Sequence, residues 1–312
     1  MTGRPTTRQW ALFALLSVFW GSSYLFIKLG IETLSPFTLI ACRLFFGSVV
    51  LGIALRLARV TLPRDRATYG KLLIMALFNI VIPFSLITWG ERYIESSLAA
   101  ILQATTPLFT IIFASLALSE EAISLNRLVG LIVGFGGVVI LLGRGLGAGG
   151  QNQLIGELAV AVSSLSYALG NVFVRLRMRG LHPTVPAFFQ VGIAFVIVSS
   201  LALAFEQPIR LPSNPTALFS VVWLGLFGSA FAYLIYFRLV HVLGPTRLSL
   251  ITYVMPIVAI ALGVAIRGEV IDGQTVVGTA IVLGGVGLVN SRYGRRRIFG
   301  RTAAEVPPVA GA

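Results

Sequence analysis

The sequence predicts an all-α integral membrane protein whose ten transmembrane helices form two inverted five-helix repeats. Three observations predict it. Hydrophobic residues make up 56% of the 312 positions and charged residues only 11%, against roughly 25% charged in soluble domains. A soluble protein this apolar could not cover its surface, whereas a bilayer accepts apolar side chains on its lipid-facing side. The apolar residues also fall into ten runs, each near the length of about 20 residues that a helix needs to span a bilayer. Finally, prolines, glycines and cations recur in the same order in the two halves of the chain.

The ten expected spans are 10–31, 36–57, 70–90, 96–118, 127–143, 154–174, 184–205, 216–237, 246–266 and 275–291. The runs are long and continuously apolar, unlike the ten-residue alternating strands of a barrel, so helices are expected. Arg4 and Arg8 before the first run imitate a signal peptide, but the run continues to Ile27 without a small-residue cleavage site, and it reads as a retained span. The second span carries Arg43 in its interior, the third Asn79 and Pro83, and the fourth Gln103, Thr106 and Pro107. The fifth and tenth are glycine-rich. The sixth brings Tyr167 and Asn171, the eighth Tyr233 and Tyr236, and the ninth Thr252, Tyr253 and Pro256.

Charge sets the expected orientation. With the N-terminus cytoplasmic, the cytoplasmic gaps and tail collect 18 of the Lys and Arg residues and the opposite side 5, with Arg43 inside a span. The positive-inside rule then places both termini in the cytoplasm of a multi-pass plasma (inner) membrane protein. The same distribution accounts for the net charge of +13 without nucleic acid as a partner. Cys42 is the only cysteine, which rules out an intrachain disulfide, and the two histidines, His182 and His241, lie in gaps between spans. No metal and no cofactor is expected.

The halves align as residues 1–148 and 149–293, followed by a basic tail, 294–312, expected to be disordered. At an offset of 147, Ser17 meets Ser164 and Pro36 meets Pro183, while Lys28 meets Arg175. At 149, Leu77-Phe78 meets Leu226-Phe227 and Pro107 meets Pro256. At 148, Glu121 meets Glu269 and Gly136-Gly137 meets Gly284-Gly285. Five spans per half is odd, so the second half enters the membrane with opposite polarity. That is the inverted repeat by which secondary transporters exchange inward-open and outward-open states.

The run Phe19-Trp20-Gly21-Ser22-Ser23-Tyr24, followed by Lys28, Pro36 and Arg43, resembles the first two spans of the EamA family of the drug/metabolite transporter superfamily. Thr106-Pro107-Leu108-Phe109 with Glu121 and Gly130 adds to the resemblance, and Met255-Pro256-Ile257 with Glu269 and Gly278 repeats it. It covers roughly residues 10–291. The second half departs at its start, where Tyr167 stands in place of Trp20 and no Trp-Gly follows. The resemblance implies ten helices, both termini inside, and usually export of metabolites such as amino acids.

Polar residues inside spans are costly and tend to face the bundle interior or a water-filled cavity. At helical spacing they form stripes: Ser17, Gly21, Tyr24 and Lys28; Ser164, Ala168, Asn171 and Arg175; Gln103, Thr106, Pro107 and Thr110; Ser249, Thr252, Tyr253 and Pro256. Trp20, Tyr24, Asn79, Gln103, Thr106, Tyr167, Asn171, Thr252 and Tyr253 are the candidate substrate-pathway residues. Tyr233 and Tyr236 are further candidates for an aromatic pocket. Lys28 and Arg175 are gate candidates at opposite mouths, and Pro83, Pro107 and Pro256 are expected helix kinks. The glycines of the fifth and tenth spans permit close helix approach, within one chain or in a homodimer.

The expected function is therefore a secondary transporter that moves a small polar metabolite, such as an amino acid, outward by alternating access. A channel or lipid-handling protein is the alternative. A membrane-embedded enzyme is disfavoured, because the sequence has no H-E-x-x-H or G-x-S-x-G motif and no aspartate inside a span, and the lack of a P-loop disfavours ATP drive within this chain. No acidic residue lies near the middle of a span, so energy coupling is left to exchange or to a carboxylate at a helix end.

Overall fold

The computed structural model describes residues 6–117, 123–146, 150–178, 180–243, 248, 250–290 and 297–299. Among them, nine helices are long and apolar enough to cross a membrane, and a tenth, Ile251–Arg267, is apolar but shorter. The chain is a multi-pass α-helical membrane protein. Leu116, Ile132 and Val196 stand exposed on its flanks, as lipid-facing side chains do, because hydrocarbon imposes no cost on them.

The elements follow the expected spans within a few residues. They are α1 (Thr7–Gly30), α2 (Pro36–Ala58), α3 (Arg66–Ala76) and α4 (Ile82–Gly90). Next come α5 (Ser96–Gln103), α6 (Thr106–Ala117), α7 (Leu125–Leu146) and α8 (Gly150–Arg177). Then follow α9 (Thr184–Phe205), α10 (Pro215–Gly225), α11 (Ala232–Leu243), α12 (Ile251–Arg267) and α13 (Gly273–Asn290). The pairs α3–α4, α5–α6 and α10–α11 each make one span. In the ninth span, expected at 246–266, α12 is described from Ile251, Leu248 ahead of it is also helical, and 246–247 and 249 lie outside the described residues. A short strand β1 (Ile123–Ser124) pairs antiparallel with β2 (Arg297–Phe299). That pairing is the described part of the 294–312 tail.

Helix ends are set by local chemistry. Thr6 opens α1 with a reciprocal capping box to Gln9. Asp65, Asn214 and Asp272 each accept the backbone N–H three residues on, at 2.7, 2.6 and 2.7 Å, and so cap α3, α10 and α13. Gly268 closes α12 at φ +66, in the left-handed region that a side chain disfavours. Two other helices are capped from a distance. Glu206, beyond α9, accepts the N–H groups of Phe37 and Thr38 and the Thr38 hydroxyl, all at 2.8 Å. Glu269, beyond α12, accepts the N–H groups of Ser96 and Ser97 at 3.0 and 3.1 Å, and both their hydroxyls. Each carboxylate thus meets the positive end of a helix dipole and satisfies donors that have no partner within the helix.

The expected prolines act in three ways. Pro107 lies in the first turn of α6, after a two-residue break at Ala104-Thr105. Pro83 follows a π-helical turn, Leu77–Val81, that joins α3 to α4. Pro256 is buried inside a continuous α12. A second π-helical turn, Leu226–Phe231, joins α10 to α11 without any proline. Each widened turn supplies a carbonyl to a side chain of another helix: Ser166 donates to the Phe78 oxygen at 2.9 Å, and Arg43 to the Gly228 oxygen at 3.1 Å. π-turns inside α-helices occur mostly at functional sites.

The broadest helix interface joins α7 to α13. A β-carbon on Gly130 or Gly137 of α7 would meet α13 backbone at 2.7 Å, and one on Gly285 of α13 would meet Gly134 at 2.4 Å. The two backbones pack directly, with Leu131, Val138, Leu141, Val282, Val286 and Val289 buried beside them. This is the small-residue packing that membrane helices use in place of a hydrophobic drive.

Candidate functional site

Among the described residues, Arg43 is a cation buried inside a span. It is 3% exposed on α2. Its Nε donates to Ser229 Oγ at 2.9 Å and one Nη to the Gly228 carbonyl at 3.1 Å. Its guanidinium carbon lies 4.1 Å from the centroid of the Phe84 ring, close enough for a cation–π attraction. Tyr24, Tyr167 and Tyr233 lie within electrostatic reach of the charge, as does Glu91, but among the described residues no carboxylate forms an ion pair with it. A guanidinium has five N–H donors, and the protein uses two of them here.

Five spans contribute to this site: Tyr24 comes from α1, Arg43 from α2, Phe84 from α4, Tyr167 from α8, and Gly228, Ser229 and Tyr233 from the α10–α11 span. Gly228 lies close against the site: a β-carbon there would stand 2.8 Å from Ser23 Oγ and 3.2 Å from the Arg43 Nη. Trp20 packs against Tyr233 and Tyr236, with ring centroids 6.2 and 5.4 Å apart. Tyr167 packs beside the same cluster. Of the expected pathway residues, Trp20, Tyr24 and Tyr167 therefore gather around Arg43, and Tyr233 and Tyr236 join them.

The others lie elsewhere. Gln103 is bound within the protein: Ser163 donates to its Oε1 at 2.7 Å, and its Nε2 donates to Thr106 Oγ1 at 2.9 Å. Those bonds seal the break between α5 and α6 against α8. Asn79 is half-buried and points its Oδ1 at Gly170, where a β-carbon would lie 1.9 Å away. Asn171 is exposed, as is Arg175 near the end of α8. Thr252 is half-buried, and Tyr253 receives a bond of 3.4 Å from Asn290. Ser249, Glu120 and Glu121 lie outside the described residues.

Lys28 lies at the end of the bundle where α1 stops and α5 begins. Its Nζ donates to the carbonyls of Glu91 and Ile94 at 2.7 and 2.6 Å, across the turn between α4 and α5. Arg267 pairs there with Glu32, and Glu269 holds Ser96 and Ser97. Trp223 donates to Ser22 at 3.1 Å one to two turns deeper. This end is latched by side chains from both halves of the chain. Arg175 lies at the opposite end, because α8 starts at the Lys28 end, where Gly156 packs on Gly90.

Two grooves of about 440 and 390 Å³ are lined almost wholly by apolar side chains, among them Phe45 with Phe195 and Phe113 with Phe173. Neither has the polar groups that would orient a polar cargo.

Hydropathy flags Arg43 as a cation in the interior of a span, but not its partners Ser229 and Gly228, which are more than 180 residues away. Glu91 carries no signal in the sequence, because it sits just past an apolar run and is nonetheless fully buried.

The EamA-like transporter family model matches the chain twice, over residues 8–143 and 154–291. The chain is similar to the uncharacterized transporter YoaV of Bacillus subtilis (strain 168), with 23% identity over 91% of this chain and 97% of that protein. It is 30% identical to the uncharacterized inner membrane transporter YedA of Escherichia coli (strain K12), over 84% of this chain and 83% of that protein. It is 27% identical to the protein PagO of Salmonella typhimurium, over 84% and 86%. A solved crystal structure shares the fold at a TM-score of 0.68 and 20% identity, over 94% of this chain and all of the other. A family model that matches both halves, on a bundle of apolar helices, places this chain in the EamA-like transporter family.

Proposed function

We propose that the protein is a secondary carrier for a small polar metabolite bearing a carboxylate, and that Arg43 binds that carboxylate in an aromatic pocket formed by Trp20, Tyr24, Tyr167 and Tyr233. The observation that carries this reading is a buried guanidinium with spare donors and no ion-pair partner among the described residues. An arginine at the centre of a span costs about 2.5–3.5 kcal/mol on insertion scales. An anionic cargo offsets that cost through charge-assisted, bidentate bonds that a neutral solute cannot form. The surrounding aromatics give the cargo a dry, shaped site in which those bonds are strong.

Alternating access follows from the architecture we infer: two five-helix repeats of opposite polarity, ten spans, both termini cytoplasmic. The family model that matches twice and the π-turns at Leu77–Val81 and Leu226–Phe231, offset by 149 residues, support the repeat. The basic residues support the orientation. The Lys28 end is then the outer end, and its latch holds the outer mouth shut. Amino acids and related compounds fit the carboxylate requirement, and export fits the family resemblance.

Counterflow in proteoliposomes against a panel of amino and other carboxylic acids tests the reading. Saturable counterflow is expected for wild-type protein, and Arg43→Gln is expected to reduce it at least tenfold at matched protein levels, with Arg43→Lys intermediate. Wild-type counterflow in Arg43→Gln would refute the role of Arg43. Cargo-independent conductance would refute the carrier.

A further inference from the structure

Glu269 and Glu91, two of the carboxylates at the outer latch, are in opposite circumstances. Glu269 is held by four donors at the start of α5. Burial alone would push its pKa up, but the bonds from Ser96 and Ser97 outweigh burial and hold it below the ordinary carboxylate value. Glu91, one residue past the α4 span, is fully buried, and neither of its carboxylate oxygens has a hydrogen-bond partner.

The neighbours of Glu91 do not remedy this. Lys28 of α1 is the nearest source of positive charge, but its ammonium spends bonds on the backbone carbonyls of Glu91 and Ile94 rather than on the carboxylate. Arg43 of α2 and Arg267 at the end of α12 attract it from further away, while Glu269 repels it. Tyr24 of α1 also faces it. On α8, which packs against Gly90, the charged neighbour is Glu157, and Gln153 donates to that carboxylate at 2.8 Å. Burial is the largest influence on Glu91 and pushes its pKa well up; Lys28 opposes burial and Glu269 adds to it. A carboxyl without donors in a dry site is held neutral, and two nearby carboxyls in such different surroundings take different protonation states.

We infer that Glu91 is a proton-binding site, and that closing the outer end of the bundle requires a proton on its carboxyl. This rests on reading the bundle as an alternating carrier with the Lys28 end outermost. When the latch opens, Lys28 leaves the two carbonyls, water reaches Glu91, and its O–H bond gives the proton to that water. When the latch closes, the carboxylate takes a proton from the outer solution and is buried as the neutral acid. Acid outside therefore favours the closed end, and alkali the open end. The step needs no other reactant.

Thr88, one turn below Glu91 and 1% exposed, reports on opening without belonging to the latch. The experiment labels Thr88→Cys in a Cys42→Ser background with an impermeant maleimide, in cells or sealed vesicles, across external pH 5.5 to 8. Rates are divided by those of an exposed Glu95→Cys control, which removes the pH dependence of the thiol itself. The relative rate is expected to rise with pH, by up to about tenfold per unit for one linked proton. Glu91→Gln, a neutral isostere, is expected to give a low rate at every pH. Glu91→Asn provides a second neutral side chain should the first fail to reach the membrane. A flat wild-type profile, or a wild-type slope retained in either amide, would overturn the inference. Because labelling needs no cargo, these outcomes are separate from the Arg43 counterflow test.

Discussion

Gly284 and Gly285 are adjacent on α13, yet the same substitution is expected to have opposite effects on them. A methyl at Gly285 would stand 2.4 Å from both the Cα and the N of Gly134, and 2.7 Å from the Gly130 oxygen. Carbon atoms pack at about 3.5–4.0 Å, so α7 and α13 must part by about 1 Å, and no flexible side chain is present to yield instead. Overpacking of this kind costs about 1–3 kcal/mol, and a gap of that width forfeits a quarter to a half of each dispersion contact along the interface. The upper end of that range, about 3 kcal/mol, is expected because this is the broadest helix contact. A methyl at Gly284 meets nothing within 4 Å, and alanine favours a helix by about 0.8–1 kcal/mol. Heating detergent-purified protein and measuring the surviving monodisperse fraction checks both. Gly285→Ala is expected to lower the midpoint by on the order of 5–10 °C, and Gly284→Ala to leave it unchanged or slightly raised. If the two variants melt together, the direct backbone packing of α7 on α13 is wrong.

Two further outcomes are expected. Gln103→Ala leaves Ser163 and Thr106 without their shared partner, so it is expected to lower stability by about 1–3 kcal/mol, while the exposed Asn171→Ala changes stability by less than about 0.5 kcal/mol; thermal melts of both in the same detergent decide. Cysteines placed at the exposed Arg64, Gly180 and Gln207 test the orientation, with Gln207 expected to react with impermeant reagent in intact cells and the other two to be protected.

The spans were legible because hydropathy over some twenty residues reports membrane insertion directly, and every described helix lies within a few residues of its expected run. Pro36, at the first turn of α2, and the glycines of α7 and α13 were legible for a similar reason, since their conformational preferences act locally. The site was only half legible. Helical spacing put Tyr24 on a polar stripe, and Trp20 and Tyr167 stood out as aromatics within spans; the three gather around Arg43. The same spacing put Asn171 on a stripe with Ala168, but a stripe has two edges, and Asn171 falls on the exposed one. Gln103 was inward as expected, yet spacing within one helix cannot reveal that Ser163 of another helix already occupies its oxygen. Glu91 escaped notice because its depth is set by the turn folded under Lys28, a contact between residues 63 positions apart.

The distant caps on α2 and α5 have a consequence for how the chain is made. Glu206 follows the α2 donors it satisfies by 168–169 residues, and Glu269 follows those of α5 by 172–173. At about 5–20 residues per second of synthesis, each early helix start waits on the order of 10–30 s for its carboxylate. Until then its N–H groups need water or the insertion machinery as a partner, which keeps those ends at the membrane surface. A ribosome that stalls after the first half leaves a product whose two helix starts lack the carboxylates that cap them in the full chain.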